Sequence, residues 1–111
     1  MGQTEAFLRA KHKPEYIICA AIHYHDTEVF EAQPKNIKNG FVLAGWRHFN
    51  ILPIATRLGR RTVNNHTQGF LTSKGRFVDR EEGRQIAFKT GQVDYLGNDG
   101  RIKDLFSEDI Y

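Results

Sequence analysis

"TQGFLTSKGRFVDREEGRQIAF", residues 67–88, contains two kinds of element and the joint between them. Residues 68–72 and 76–78 are short apolar-rich runs separated by Ser73, Lys74 and Gly75. This spacing predicts a β-hairpin whose three-residue loop uses Gly75 for the positive backbone torsion it requires. Asp79 and Glu82 follow as a D-x-x-E pattern. There the Asp79 carboxylate accepts from free amides of a first helical turn, and Glu82 reaches back to the amide of Asp79. A helix is expected from Arg80, closing near Gly91, because glycine enters the left-handed conformation at least cost.

Upstream, "EYIICAAIHY" at residues 15–24 is β-branched, aromatic and almost continuously apolar, as befits a central strand covered on both faces. "HDTEVFEA" predicts a turn at residues 25–27 and a returning strand at 28–32. "QPKNIKNG" is a loop punctuated by Pro34 and the Asn39-Gly40 pair, and "FVLAG" from Phe41 is a further strand. From Trp46 to Leu58 the apolar residues Phe49, Ile51, Leu52, Ile54, Ala55 and Leu58 recur at helical steps. Pro53 fits that helix if Asn50 caps it and Ile51 opens it, since a proline in the first turn forfeits no hydrogen bond. "GRRTVNNH" is a loop, and downstream a "GNDG" turn stands between short apolar pieces. The order β-β-β-α-β-β-α, with room for a last strand, implies an α+β domain with two helices packed on a mainly antiparallel sheet. Residues 1–14 read as a polar N-terminal arm and residues 15–111 as a single small domain.

The 111 residues are 40% hydrophobic and 26% charged, ordinary for a globular chain, and no apolar run is long enough for a membrane span. The first residues lack an apolar secretory core, and Ala6 stands where a myristoylation signal calls for Ser or Thr, so a cytoplasmic location is expected. Cys19 is the one cysteine; it forms no intrachain disulfide and is expected to be buried and inert. A formal charge of +3 favours an anionic partner. Positive charge concentrates in "RAKHK" at residues 9–13 and "RLGRR" at 57–61, whereas "SEDIY" from Ser107 is acidic.

No phosphate loop, G-x-G-x-x-G fingerprint or G-x-S-x-G nucleophile motif is present. His23 and His25 alternate on one strand with Asp26 following, but no third ligand stands at a metal-binding spacing, so no metal site is assigned. The two strand-to-helix corners, "GWRHFN" at residues 45–50 and "GRFVDR" at 75–80, carry more chemistry. Each exposes backbone amides. Arg47, Arg76 and Arg80 can clamp phosphate oxygens, and His48 donates or accepts near neutral pH. Facing each other, the corners would form a nucleotide pocket in which Trp46, Phe70 or Phe77 stacks on a base and Gln68, Asn50 or Thr72 reads hydroxyls and base edges. For any one of these aromatics a place in the core is the simpler reading.

The segments "IICAAIHY", "GFVLAGWRHFNI", "TQGFLTSKGRFVDREEGRQIAFKTGQV" and "LFSEDIY" resemble small phage proteins of the Thoeris anti-defence sponge family, first type, over nearly the whole chain beyond the N-terminal arm. The "QGF-x-T-x-x-GRFVDREE" run is the most specific element and the "G-x-RH" corner supports it. The resemblance implies a phage protein, active in the host cytoplasm, that sequesters a cyclic ADP-ribose isomer used as a bacterial immune signal without cleaving it. Some members also hold cyclic di- or trinucleotides at separate sites. It implies dimers with ligand pockets near the subunit interface that can build hexamers; no cofactor is assigned. Carried over by motif, the ligand residues are Arg47, His48 and Arg80, with Phe70 and Arg76 beside them. The short "RRTVNNH" connection departs from relatives that are longer before "QGF", so a pocket wall built from that insertion is not carried over. Two other classes of function fit the residues: nucleic-acid binding through the two basic clusters, and nucleotide degradation with His48 as the base.

Overall fold

A computed structural model describes residues 14–57, 65–98 and 101–111. Its elements are β1 (Ile17–Tyr24), β2 (Phe41–Gly45), α1 (His48–Arg57), β3 (His66–Thr72), β4 (Phe77–Asp79), α2 (Arg80–Lys89), β5 (Gly97–Asn98), β6 (Arg101–Ile102) and a 3-10 turn (Ser107–Asp109). Four strands form one antiparallel sheet in the order β2-β1-β3-β4, and β5 and β6 form a small hairpin. The fold is α+β, with two helices and a mainly antiparallel sheet, as the sequence predicts. The N-terminal arm, apart from Pro14, and most of the "RLGRR" cluster lie outside the described residues. Among the described residues, no helix is long and apolar enough to cross a membrane.

β1 is central: it pairs with β2 on one side and β3 on the other, and its compact Ala20 and Ala21 are fully buried. Ala20 sits opposite Gly45 on one side and Phe70 on the other, so the bulk of Phe70 is accommodated by two small neighbours. Ala20, Ile22, Phe70 and Val78 meet Ile51 and Ala55 from α1, Ala87 from α2, and Leu105 in one core cluster. Both helices therefore cover the same face of the sheet. Cover on both faces begins only at Ala20: Tyr16 and Ile18 are half exposed, and a register shift between Ile17 and Cys19 breaks the alternation there. Cys19 is accordingly half-buried rather than buried, although burial still raises its thiol pKa.

The strand expected at residues 28–32 does not form. Asp26 takes the amide of Glu28 onto its side chain, Ala32 turns back at φ 58°, and only an isolated bridge joins Val29 to Gly40. Residues 25–40 act instead as a loop whose side chains satisfy the outer strands. Gln33 Oε1 accepts from the amide of Val42 at 2.7 Å. Asn36 accepts from the amide of Phe77 at 2.8 Å and donates to its carbonyl at 2.6 Å. Both edges thereby lose some of the free backbone groups that would template another strand.

α1 begins at His48, three residues before the predicted start, because His48 is the first residue of a buried stripe with Ile51 and Ala55. Asn50 does not cap; its side chain accepts from the amide of Arg47 at 3.1 Å. Pro53 consequently lies inside the helix, on the exposed side. The missing bond falls on the Phe49 carbonyl, which water can serve. The second helix follows the sequence closely: Asp79 accepts from the amide of Glu82 at 2.8 Å, and Gly91 takes φ 77° beyond the Thr90 cap.

Glu82 does not reach back to Asp79 but bonds Arg76 at 2.9 Å. Arg76 also grips Glu15 through Nε and Nη2, each at 2.8 Å, while the Thr72 hydroxyl donates to the same carboxylate. This network ties the lead into β1 to the hairpin tip and the first turn of α2. The Arg76 guanidinium holds the Glu15 pKa down at about 2. A depressed carboxyl contributes stability above its unfolded value of 4.5 that disappears as pH falls towards 2. Allowing for solvent screening at the partly exposed Arg76, we expect Glu15→Gln to cost about 2 kcal/mol at neutral pH and little at pH ~2, as read from urea unfolding at both.

Candidate ligand-binding surface

The two corners are joined by residues 104–111, a strap that runs across both helix beginnings. Leu105, fully buried, donates its amide to the Arg80 carbonyl at 2.9 Å. Phe106 lies under the Arg80 guanidinium, 4.5 Å from its carbon to the ring centre. At the far end, Arg47 Nη2 donates to the main-chain oxygen of Tyr111 at 2.6 Å, the Tyr111 ring packs 5.1 Å from Trp46, and the Tyr111 hydroxyl donates to the Ile18 carbonyl. Arg47 and Arg80 thus border the same segment from opposite ends.

His48 and Phe70 stand behind that surface, within the core. His48 is 6% exposed, with Nε2 2.7 Å from the Gly69 carbonyl and Nδ1 3.3 Å from the Ser107 hydroxyl. A carbonyl only accepts, so Nε2 carries the proton and Nδ1 accepts from Ser107. Burial is the main cause of the lowered His48 pKa, so the ring is neutral at pH 7. Phe70 is fully buried, with the His48 ring edge-on at 5.1 Å. Arg76 is turned to the opposite end of the hairpin and engaged by Glu15 and Glu82. Of the five residues singled out in the sequence, Arg47 and Arg80 contact opposite ends of the strap, His48 and Phe70 lie in the core behind it, and Arg76 is engaged elsewhere by Glu15 and Glu82.

Beside Arg80 is an open cleft of about 340 Å³ lined by His66, Gln68, Asp79, Arg80, Glu81 and Asp104. Arg80 Nη2 donates to Gln68 Oε1 at 2.6 Å, and its Nε has no partner among the described residues. The cleft sets the Arg80 guanidinium among the side chains of Asp79, Glu81 and Asp104, with Gln68 and His66 beside them. Around the other corner the surface is apolar: Trp46 is 67% exposed, Phe49 60% and Ile18 50%.

His23 and His25 lie with ring centres 4.4 Å apart, but His23 Nε2 is bonded to the Asn39 carbonyl and His25 Nε2 to the Thr67 hydroxyl. Among the described residues, no group of three or more His, Cys, Asp or Glu is arranged to hold a metal ion.

Sequence reasoning missed Arg84, Phe106 and Ser107. Arg84 is 2% exposed and bonds the Tyr95 carbonyl, the Asp104 carbonyl and Asp109. A signal was present: Arg84 follows Arg80 by one helical turn and shares the buried stripe with Gly83 and Ala87, where a charge requires a partner.

A family model described as Phage T4 y16D protein matches residues 16–111. Comparison with curated proteins and with solved structures found no match.

Proposed function

The chain belongs to the phage T4 y16D protein family, and from that premise we propose that it captures a cyclic nucleotide immune signal in the infected host's cytoplasm without cleaving it. The observation that carries this reading is the placement of Arg47 and Arg80, each at a helix beginning, against one strap that also presents Phe106 and packs on Trp46. Guanidinium groups neutralise phosphates, exposed aromatic faces stack on bases, and carboxylates such as Glu81 and Asp104 accept from ribose hydroxyls. A cyclic ADP-ribose isomer combines all three features.

Capture rather than turnover fits the site. His48, the residue a hydrolytic mechanism would recruit as base, is buried with both ring nitrogens bonded. Tight binding needs preorganised donors on rigid elements and no general base. The apolar surface of Ile18, Trp46 and Phe49 favours a homodimer that brings a second copy to the edge of the site, with higher assembly built from dimers.

A thermal-shift screen of ADP-ribose, cyclic ADP-ribose isomers and cyclic di- and trinucleotides tests the proposal, since a ligand selective for the native state raises the melting temperature. Nucleotide recovered from the heated complex is expected to be chemically unchanged; hydrolysed nucleotide would refute passive capture. Arg47→Ala and Arg80→Ala are each expected to weaken binding on the order of 100-fold while the fold persists. Unchanged affinity in both would remove the site. Affinity for duplex DNA that collapses with salt, with no small-molecule shift, would favour nucleic-acid binding instead.

A further inference from the structure

We infer that Arg84 is a positioning residue for this site, holding the strap so that Phe106 and Arg80 form a preassembled stacking platform for a nucleobase. The inference rests on the nucleotide-binding reading above. Arg84 Nη2 donates to Asp109 Oδ2 at 2.5 Å and to the Asp104 carbonyl at 3.1 Å, and Nη1 to the Tyr95 carbonyl at 3.1 Å. The same Asp109 oxygen accepts from the amide of Phe106 at 2.9 Å. A continuous line of contacts therefore runs from Arg84 through Asp109 to Phe106, and from the Phe106 ring to the Arg80 guanidinium 4.5 Å above it.

Arg84 neither lines the Arg80 cleft itself nor touches Phe106 in any of these contacts; it acts through Asp109 and through the main chain of Asp104, which borders the cleft. Leu105, fully buried with its amide on the Arg80 carbonyl, and Ser107, 1% exposed against His48, anchor the strap on either side of Phe106. Phe106 is itself 39% exposed and takes its place from the bond to Asp109 and the contact with Arg80. A planar guanidinium with several donors in a fixed fork can bond three acceptors from two chain segments at once, which an ammonium cannot reproduce. A cation held face-on against an aromatic ring is a sequence-tolerant surface for a base, and fixing it before the ligand arrives lowers the ordering cost of binding.

Two readouts test this in the full-length protein. In Arg84→Met, hydrogen exchange of residues 104–111 is expected to accelerate about tenfold or more while β1 exchanges as before. Phe106→Ala is expected to weaken binding of the cyclic ADP-ribose isomers in the native background, but to add less than about twofold on top of Arg84→Met. Should Arg84→Met fail to fold, Arg84→Lys keeps the charge without the fork and carries the same expectations. Unchanged strap exchange, acceleration spread evenly over the whole protein, or additive losses in binding would each overturn the inference. If the native protein binds none of these nucleotides, the functional reading falls, while the exchange experiment still decides whether Arg84 holds the strap.

Discussion

Replacing Gly69 by alanine is expected to lower the melting temperature by about 10–20 °C, corresponding to about 3 kcal/mol for a domain of this size. A Cβ at Gly69 would stand 1.9 Å from the Val78 carbonyl oxygen and 2.9 Å from the Phe77 ring. The obstacle is backbone, which cannot rotate aside as a long side chain would. Separating the strands disturbs the Gly69–Asp79 pairing, and with it the residue that caps α2. It also displaces the Gly69 carbonyl that accepts from His48 at 2.7 Å. Thermal unfolding followed by circular dichroism measures the effect, and a melting point within a few degrees of the native protein's would contradict the close approach of β3 and β4.

Phe70→Ala is expected to cost about 3–5 kcal/mol, a large share of the ~5–15 kcal/mol that holds a typical domain together. Phe70 is fully buried, opposite Ala20, and its ring approaches the place where a Cβ on Gly83 would stand, at 3.1 Å. Loss of that ring opens a cavity between the sheet and both helices. The informative companion is Phe70→Leu, which keeps an apolar side chain of similar volume and is expected to cost about 1 kcal/mol, leaving nucleotide binding intact. A folded Phe70→Leu protein unable to bind would return Phe70 to the ligand and remove it from a purely structural role.

The same glycine and phenylalanine show how far the sequence can be read. The "QGF" motif is recognisable, but its spacing does not say whether the ring faces a ligand or a core. Gly69 is required by a neighbouring strand rather than by its own torsion, and that neighbour is unknown until the sheet is assembled. His48 was misleading in the same way. A histidine at a helix start beside two arginines has the chemistry of a binding group, yet Ile51 and Ala55 turn its face inward. Arg84 is the converse, a charge on an apolar stripe whose partner Asp109 lies 25 residues away in the chain.

Local signals hold at several single turns of chain, although the Asn50 cap and the Glu82 half of the capping box, equally local, give way to a helix that starts at His48 and to the Glu82–Arg76 pair. The hairpin at Gly75, the Asp79 cap, the end of α2 at Gly91 and the central strand are all written in short windows, because steric limits on φ and the period of side-chain exposure act between near neighbours. The strand expected at residues 28–32 does not form: β2 and β3 occupy both sides of β1, and Ala32 turns the chain at φ 58°. What only the tertiary structure decided is which side of each element meets the rest of the chain. Burial is a property of contacts between distant residues, so the strap that contacts both Arg47 and Arg80, and the core that encloses His48 and Phe70, appear only once helices and sheet are packed together.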